Sequence, residues 1–91
     1  MKRKTLLKYI GLSCKRWRQS MDLTVAHICY DTRYTPSNVS YFETGKGNNA
    51  VLLFWYIAHG FDPQKDFRTE NPLVKMSAVE LLALVGKDND E

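Results

Sequence analysis

The residues best suited to act on a partner lie between positions 36 and 46. Ser37, Asn38, Ser40 and Tyr41 end in hydroxyls or an amide, and Val39 and Phe42 sit among them three apart. Helical residues three apart share a side, so Val39 and Phe42 face a core while the polar tips face outward. Neutral donors and acceptors on a short helix are the groups that read base edges in a DNA major groove. The flanks fit the same element. Thr35 can accept the free N–H groups of a helix start, and Pro36 suits the first helical position. Gly45 suits the left-handed residue that ends a helix, and Lys46 follows it. Gly47 and the Asn48-Asn49 pair then form a loop that can bring backbone N–H groups and Lys46 to a phosphate.

Other chemistry finds no foothold. There is no Ser/His/Asp or Cys/His arrangement and no phosphate-cradling glycine loop at useful spacing. Cys14 and Cys29 lie in apolar-periodic segments, with no C-x-x-C, and read as reduced core residues. His27 and His59 have no carboxylate or thiol spaced to complete a metal site. The expectation is a protein that is not an enzyme and holds no metal or cofactor.

The charge is uneven. Across 91 residues the net charge is +3, but residues 1–19 carry seven basic side chains and no acid, and residues 61–91 carry four basic and seven acidic ones. A positive end suits phosphate, and an acidic end suits a face turned away from it. The longest apolar run, residues 50–58, is too short to span a bilayer. No apolar region or cleavage site follows the basic start, as a signal peptide requires. With reduced cysteines, this reads as a cytoplasmic protein with no membrane partner. The sequon at Asn38 is expected to be a chance match.

The supporting elements follow from spacing. Leu7, Ile10, Cys14 and Trp17 form a helical stripe over residues 5–20, with residues 1–4 as a basic arm. Asp22 marks a turn, and Thr24 caps a second helix whose buried side is Val25, Ile28 and Cys29. A capping box there wants Glu or Gln where the chain has His27, so none is expected. A turn over 31–34 leads to the polar-faced helix, 36–44. Residues 50–59 form a helix apolar nearly all round, and therefore covered on more than one side, in part by the first helix and in part by the C-terminal segment or a second subunit. Residues 61–73 read as a loop. Ser77 and Glu80 sit at capping-box spacing and open a C-terminal helix, assigned over 74–86, before an acidic tail at 87–91. The whole is expected to be one all-α domain.

In this order of elements the chain resembles the Cro/CI-type helix-turn-helix proteins, the lambda-repressor-like or XRE family. The match runs without a gap from Ile10 to His59. It is carried by Ile10-Gly11, Arg18, Leu23-Thr24, the apolar Ile28, Val39 and Phe42, and the run Phe42-Glu43-Thr44-Gly45-Lys46. The resemblance implies a compact bundle of about five helices and an ion pair between Arg18 and Glu43 that fixes the recognition helix. Carried onto this chain, it implies base reading by Pro36, Ser37, Asn38 and Tyr41. It implies phosphate contacts from Thr24, the backbone of Val25, Thr44, Lys46, and the amides of Asn48 and Asn49. Asn38 can pair with adenine or turn toward the neighbouring backbone, and Tyr41 can reach a base or a phosphate.

The chain departs from the family at Val25, where a glutamine is usual, and at Arg33, where a turn glycine is usual. A left-handed Arg33 would be strained, with contact to a phosphate as compensation. Two functions follow. One is a small sequence-specific DNA-binding regulator acting as a homodimer on double-stranded DNA. The other is a protein-interaction module on the same fold, suggested by Phe54, Trp55 and Tyr56 and by a recognition helix without Arg or Lys.

Overall fold

The computed structural model describes residues 2–47 and 49–86. Over these the chain forms α1 (Arg3–Ser20), α2 (Val25–Thr32), α3 (Pro36–Glu43), α4 (Ala50–Ala58), α5 (Pro63–Asp66) and α6 (Ala78–Gly86), with no strand among the described residues. The expected all-α bundle is present, with α5 as an added single turn. Asn48 and the tail at 87–91 lie outside the described residues.

The four stripe residues of α1 are all buried, as helical spacing demands. They meet Ile28 of α2, Val39 and Phe42 of α3, and Leu52, Leu53, Trp55 and Tyr56 of α4 in one core. Helix α4 is covered by α6, α2 and α1, which bury Leu52, Leu53, Trp55 and Tyr56 and leave Val51 and Phe54 of its apolar run exposed. Tyr56 is the centre of the core aromatics. It stacks on Phe42 at 5.7 Å between centroids and meets Trp17 and Trp55 edge-on at 6.1 and 5.4 Å. Of the three consecutive aromatics, Trp55 and Tyr56 are core, whereas Phe54 faces solvent.

Four local expectations need correction. The basic arm at 1–4 is not separate: Arg3 and Lys4 form the first turn of α1. Arg3 Nε donates to the Leu84 carbonyl at 3.2 Å, tying the start of α1 to the last turn of α6. The loop at 61–73 is ordered at its start by α5. Asp62 caps that turn by accepting from Gln64 N–H at 3.0 Å, Pro63 begins it, and Phe61 and Phe67 are buried on either side. The C-terminal helix begins at Ala78 rather than 74, because Ser77 and Glu80 close their capping box there, at 2.9 and 3.2 Å. A capping box also opens α2. Thr24 N–H donates to His27 Nδ1 at 3.2 Å and Thr24 Oγ1 accepts from His27 N–H at 3.3 Å. An imidazole nitrogen has a lone pair at the reach a glutamate oxygen would have, so histidine serves the same role.

The turn between α2 and α3 contains the strain expected of its sequence. Arg33 ends α2 in the left-handed region, at φ 67° and ψ 11°. A Cβ in that region costs roughly 1–2 kcal/mol, while glycine loses about half of that advantage to its freer unfolded chain. Arg33→Gly is therefore expected to raise the unfolding free energy by about 0.5–1 kcal/mol, measured by urea denaturation. An unchanged or lower value would mean that the arginine side chain stabilises the turn more than the strain costs.

Candidate nucleic-acid interface

Helix α3 is held by a buried charge cluster. Arg18 Nε and Nη2 donate to the two carboxylate oxygens of Glu43 at 2.8 and 3.0 Å, a bidentate pair. Arg18 Nη1 donates to the Leu23 carbonyl at 3.0 Å, and the Tyr56 hydroxyl donates to Glu43 Oε2. One guanidinium thus joins α1, the entry to α2 and the end of α3, and the tyrosine adds α4. Sequence reading supplied Arg18 and Glu43 but missed Tyr56. The planar fork of arginine fixes direction as well as distance, so α3 is held at one angle to α1.

The cluster sets the ionisation of its members. Burial, then the hydrogen bond and negative charge of Glu43, push the Tyr56 phenol far above its ordinary 10.0. The Glu43 hydrogen bond, outweighing burial, raises Arg18 further. Cys14 lies close by, and burial followed by the charges of Glu43 and Asp66 raises its thiol well above the ordinary 9.0. A raised pKa means that the folded state keeps a proton the unfolded chain gives up, so stability falls as pH rises through the interval between the two values. The expected onset is near pH 9 for Cys14 and near pH 10 for Tyr56. Urea denaturation between pH 8 and 11, under reducing conditions, checks this. Tyr56→Phe should make the decline above pH 10 shallower by up to about 1.4 kcal/mol per pH unit; an identical slope in the variant would contradict the assignment.

The outer strip of α3 is open. Pro36, Ser37, Asn38, Ser40, Tyr41 and Thr44 are all exposed, while Val39, Phe42 and Glu43 are buried. Asn38, however, is engaged. Its Oδ1 accepts from Thr35 N–H at 3.1 Å and from the Thr35 hydroxyl at 2.9 Å, and its N–H donates to Thr35 Oγ1 at 3.2 Å. Of the two alternatives for this residue, the structure shows the turn toward the backbone. A bidentate adenine contact needs the same oxygen, so only the Nδ2 donor is available while the cap is intact. Ser37 and Tyr41 have no such commitment in their side chains among the described residues. Tyr41 lies against the loop: a Cβ built on Gly47 would stand 3.1 Å from its ring.

The expected phosphate-facing residues divide. Thr24, Arg33, Thr44 and Lys46 are exposed, and Val25 and Asn49 are half-buried. The Asn49 side chain caps α4, accepting from Leu52 N–H at 3.1 Å, which leaves its backbone to any phosphate. Thr44 Oγ1 donates to the Tyr41 carbonyl at 3.0 Å. Charge favours an anion here. Residues 1–60 carry only three acids, Asp22, Asp31 and Glu43. Glu43 is buried against Arg18, and Asp31 accepts from Trp55 Nε1 at 2.8 Å and lies 3.6 Å from His59 Nε2. Two lysines that sequence reading did not place at the site, Lys4 and Lys8, join Lys46 around a hollow beside the end of α3. No three His, Cys, Asp or Glu side chains gather as a metal site among the described residues. No helix among them is long and apolar enough to cross a membrane.

No family model, curated protein or solved structure matches the chain.

Proposed function

We propose that the chain is a Cro/CI-type DNA-binding regulator that lays α3 in the major groove. The observation that carries this reading is the open polar strip of Ser37, Ser40 and Tyr41 on a helix fixed from behind by the Arg18–Glu43–Tyr56 cluster, with cations beside its end. A rigid probe with neutral tips selects bases; neighbouring lysines supply affinity and register. Ser37 and Tyr41 are the side chains freest to make sequence-dependent contacts, and Pro36 offers an apolar edge to a thymine methyl. The test is selection from random double-stranded oligonucleotides. A defined site is expected, with Ser37→Ala relaxing preference at one position per half-site by about 1–3 kcal/mol of discrimination. Recovery of no common sequence at low salt would defeat the reading.

The same proposal includes a homodimer on a two-fold site, with half-sites about 34 Å apart. Helices α4 and α6 pack side by side, and Val51, Phe54 and Val79 are exposed at 56%, 60% and 76%. These residues also favour the second reading, a module that binds another protein through the same face. Sedimentation of the free protein separates the two: a dimer weakened by Phe54→Ser supports the first, whereas a monomer that binds no duplex supports the second.

A further inference from the structure

We propose that the hollow between the first half of α1 and the turn after α3 seats a backbone phosphate of duplex DNA, with Lys4 and Lys8 as ligands beside Lys46. This rests on the reading of the chain as a duplex-binding protein and extends its interface onto α1.

The hollow is formed by an unusually close approach. A Cβ placed on Gly45 would stand 2.3 Å from Lys8 Cα, and one placed on Gly11 would stand 2.4 Å from the Phe42 carbonyl oxygen. Backbone therefore lies on backbone, and Lys8 stands directly over the turn that carries Lys46. The resulting depression, about 300 Å³, is lined by Lys4, Thr5, Lys8, Thr44, Gly45 and Lys46. A neighbouring hollow shares Lys4 and Lys46 and adds Arg3 and Tyr41. Among the described residues no carboxylate lines either one. The three lysines are exposed, and none makes an ion pair among the described residues.

Three ammonium groups drawn from two segments repel one another in a concave surface, and an anion with several acceptor oxygens relieves that repulsion. A phosphodiester fits because its charge is fixed and its oxygens accept from more than one lysine. Continuity with Tyr41 favours duplex DNA over an acidic protein. The phenol belongs to the open strip of α3, so one ligand spanning both features must present bases and phosphates together.

Fluorescence anisotropy with a labelled mixed-sequence duplex, titrated at several salt concentrations, tests this. Each phosphate contact contributes about 0.9 to the slope of log affinity against log salt, so Lys4→Gln with Lys8→Gln, which empties one phosphate seat, should lower the slope by about 0.9. Between 50 and 200 mM salt the double variant should lose about 3.5-fold less affinity than the parent protein. Lys65→Gln with Lys75→Gln, which removes equal charge elsewhere, should leave the slope nearly unchanged. If the parent binds and the Lys4/Lys8 slope is unaltered, or if both pairs lower it equally, the phosphate seat is wrong while duplex binding stands. If polyglutamate binds the hollow as tightly as the duplex at equal salt, the site is one for acidic protein and the proposal falls. If the parent binds no duplex at any salt, both readings fall together.

Discussion

Replacing Glu43 with alanine is expected to lower the unfolding free energy by about 3–5 kcal/mol. The carboxylate is the partner of two Arg18 nitrogens and of the Tyr56 hydroxyl, and the residue is only 4% exposed. Its removal leaves a guanidinium, itself 9% exposed, stripped of both bonds to its carboxylate and keeping the one to the Leu23 carbonyl. An arginine cannot discharge by losing its proton, so the cost is that of an unpaired charge in poor contact with water. Glu43→Gln should cost less than alanine, since one amide oxygen still accepts. Replacing both partners with apolar residues of similar size, Arg18→Met with Glu43→Leu, should recover part of the loss, because two desolvated charges disappear together while the buried Tyr56 hydroxyl is left without its acceptor. Chemical denaturation of Arg18→Met, Glu43→Leu and the double variant gives the coupling directly. A loss below 1 kcal/mol for Glu43→Ala would place the pair in the class of solvent-screened surface contacts and remove it as the anchor of α3.

Gly45→Ala is the second large effect. Gly45 lies at φ +81°, where any Cβ is strained, and the added atom would meet Lys8 Cα at 2.3 Å. The strain contributes roughly 1–2 kcal/mol and the overpacking roughly 1–3 kcal/mol, so a loss of about 3 kcal/mol is expected. The two terms can be separated. Gly11→Ala keeps an ordinary helical backbone and gains helix propensity, yet still places a Cβ 2.4 Å from the Phe42 carbonyl oxygen. It therefore reports the cost of pushing α1 away from the end of α3 with no left-handed strain. If Gly11→Ala proved neutral, α1 and α3 would have room to separate, and the close seat of Lys8 over Gly45 would not be a rigid feature.

The parts of this arrangement legible in the sequence are those set by neighbours along the chain. Thr35 and Pro36 start α3, Gly45 ends it, and Val39 and Phe42 face inward because helical geometry leaves no other choice. The strained Arg33 was legible only through the family resemblance, which places a turn glycine at that position. What escaped depends on contacts across the chain or on a choice of rotamer. Tyr56 joins Glu43 across 13 residues. Asn38 had two uses open to it and the nearby helix start took it, while His27 closed a capping box that its residue type did not suggest. Phe61 and Phe67 looked like loop residues because no periodicity marks a single turn. One signal for Lys4 and Lys8 was available: a glycine inside a helix marks close approach, and positions 4 and 8 precede Gly11 on the same side. The sequence alone gives that stripe but not what it faces.

In the proposed function the outer strip of α3 and the lysines beside it meet a duplex. The most direct measurement is a two-dimensional amide NMR titration of the labelled chain with a duplex recovered by selection, or with mixed-sequence duplex at low salt. The account predicts that the largest shifts fall on Ser37, Tyr41, Thr44 and Lys46, with Lys4 and Lys8 moving in the same concentration range and the α5 turn unaffected. Shifts confined to Val51, Phe54 and Val79, or no shifts on α3 at saturating duplex, would contradict it.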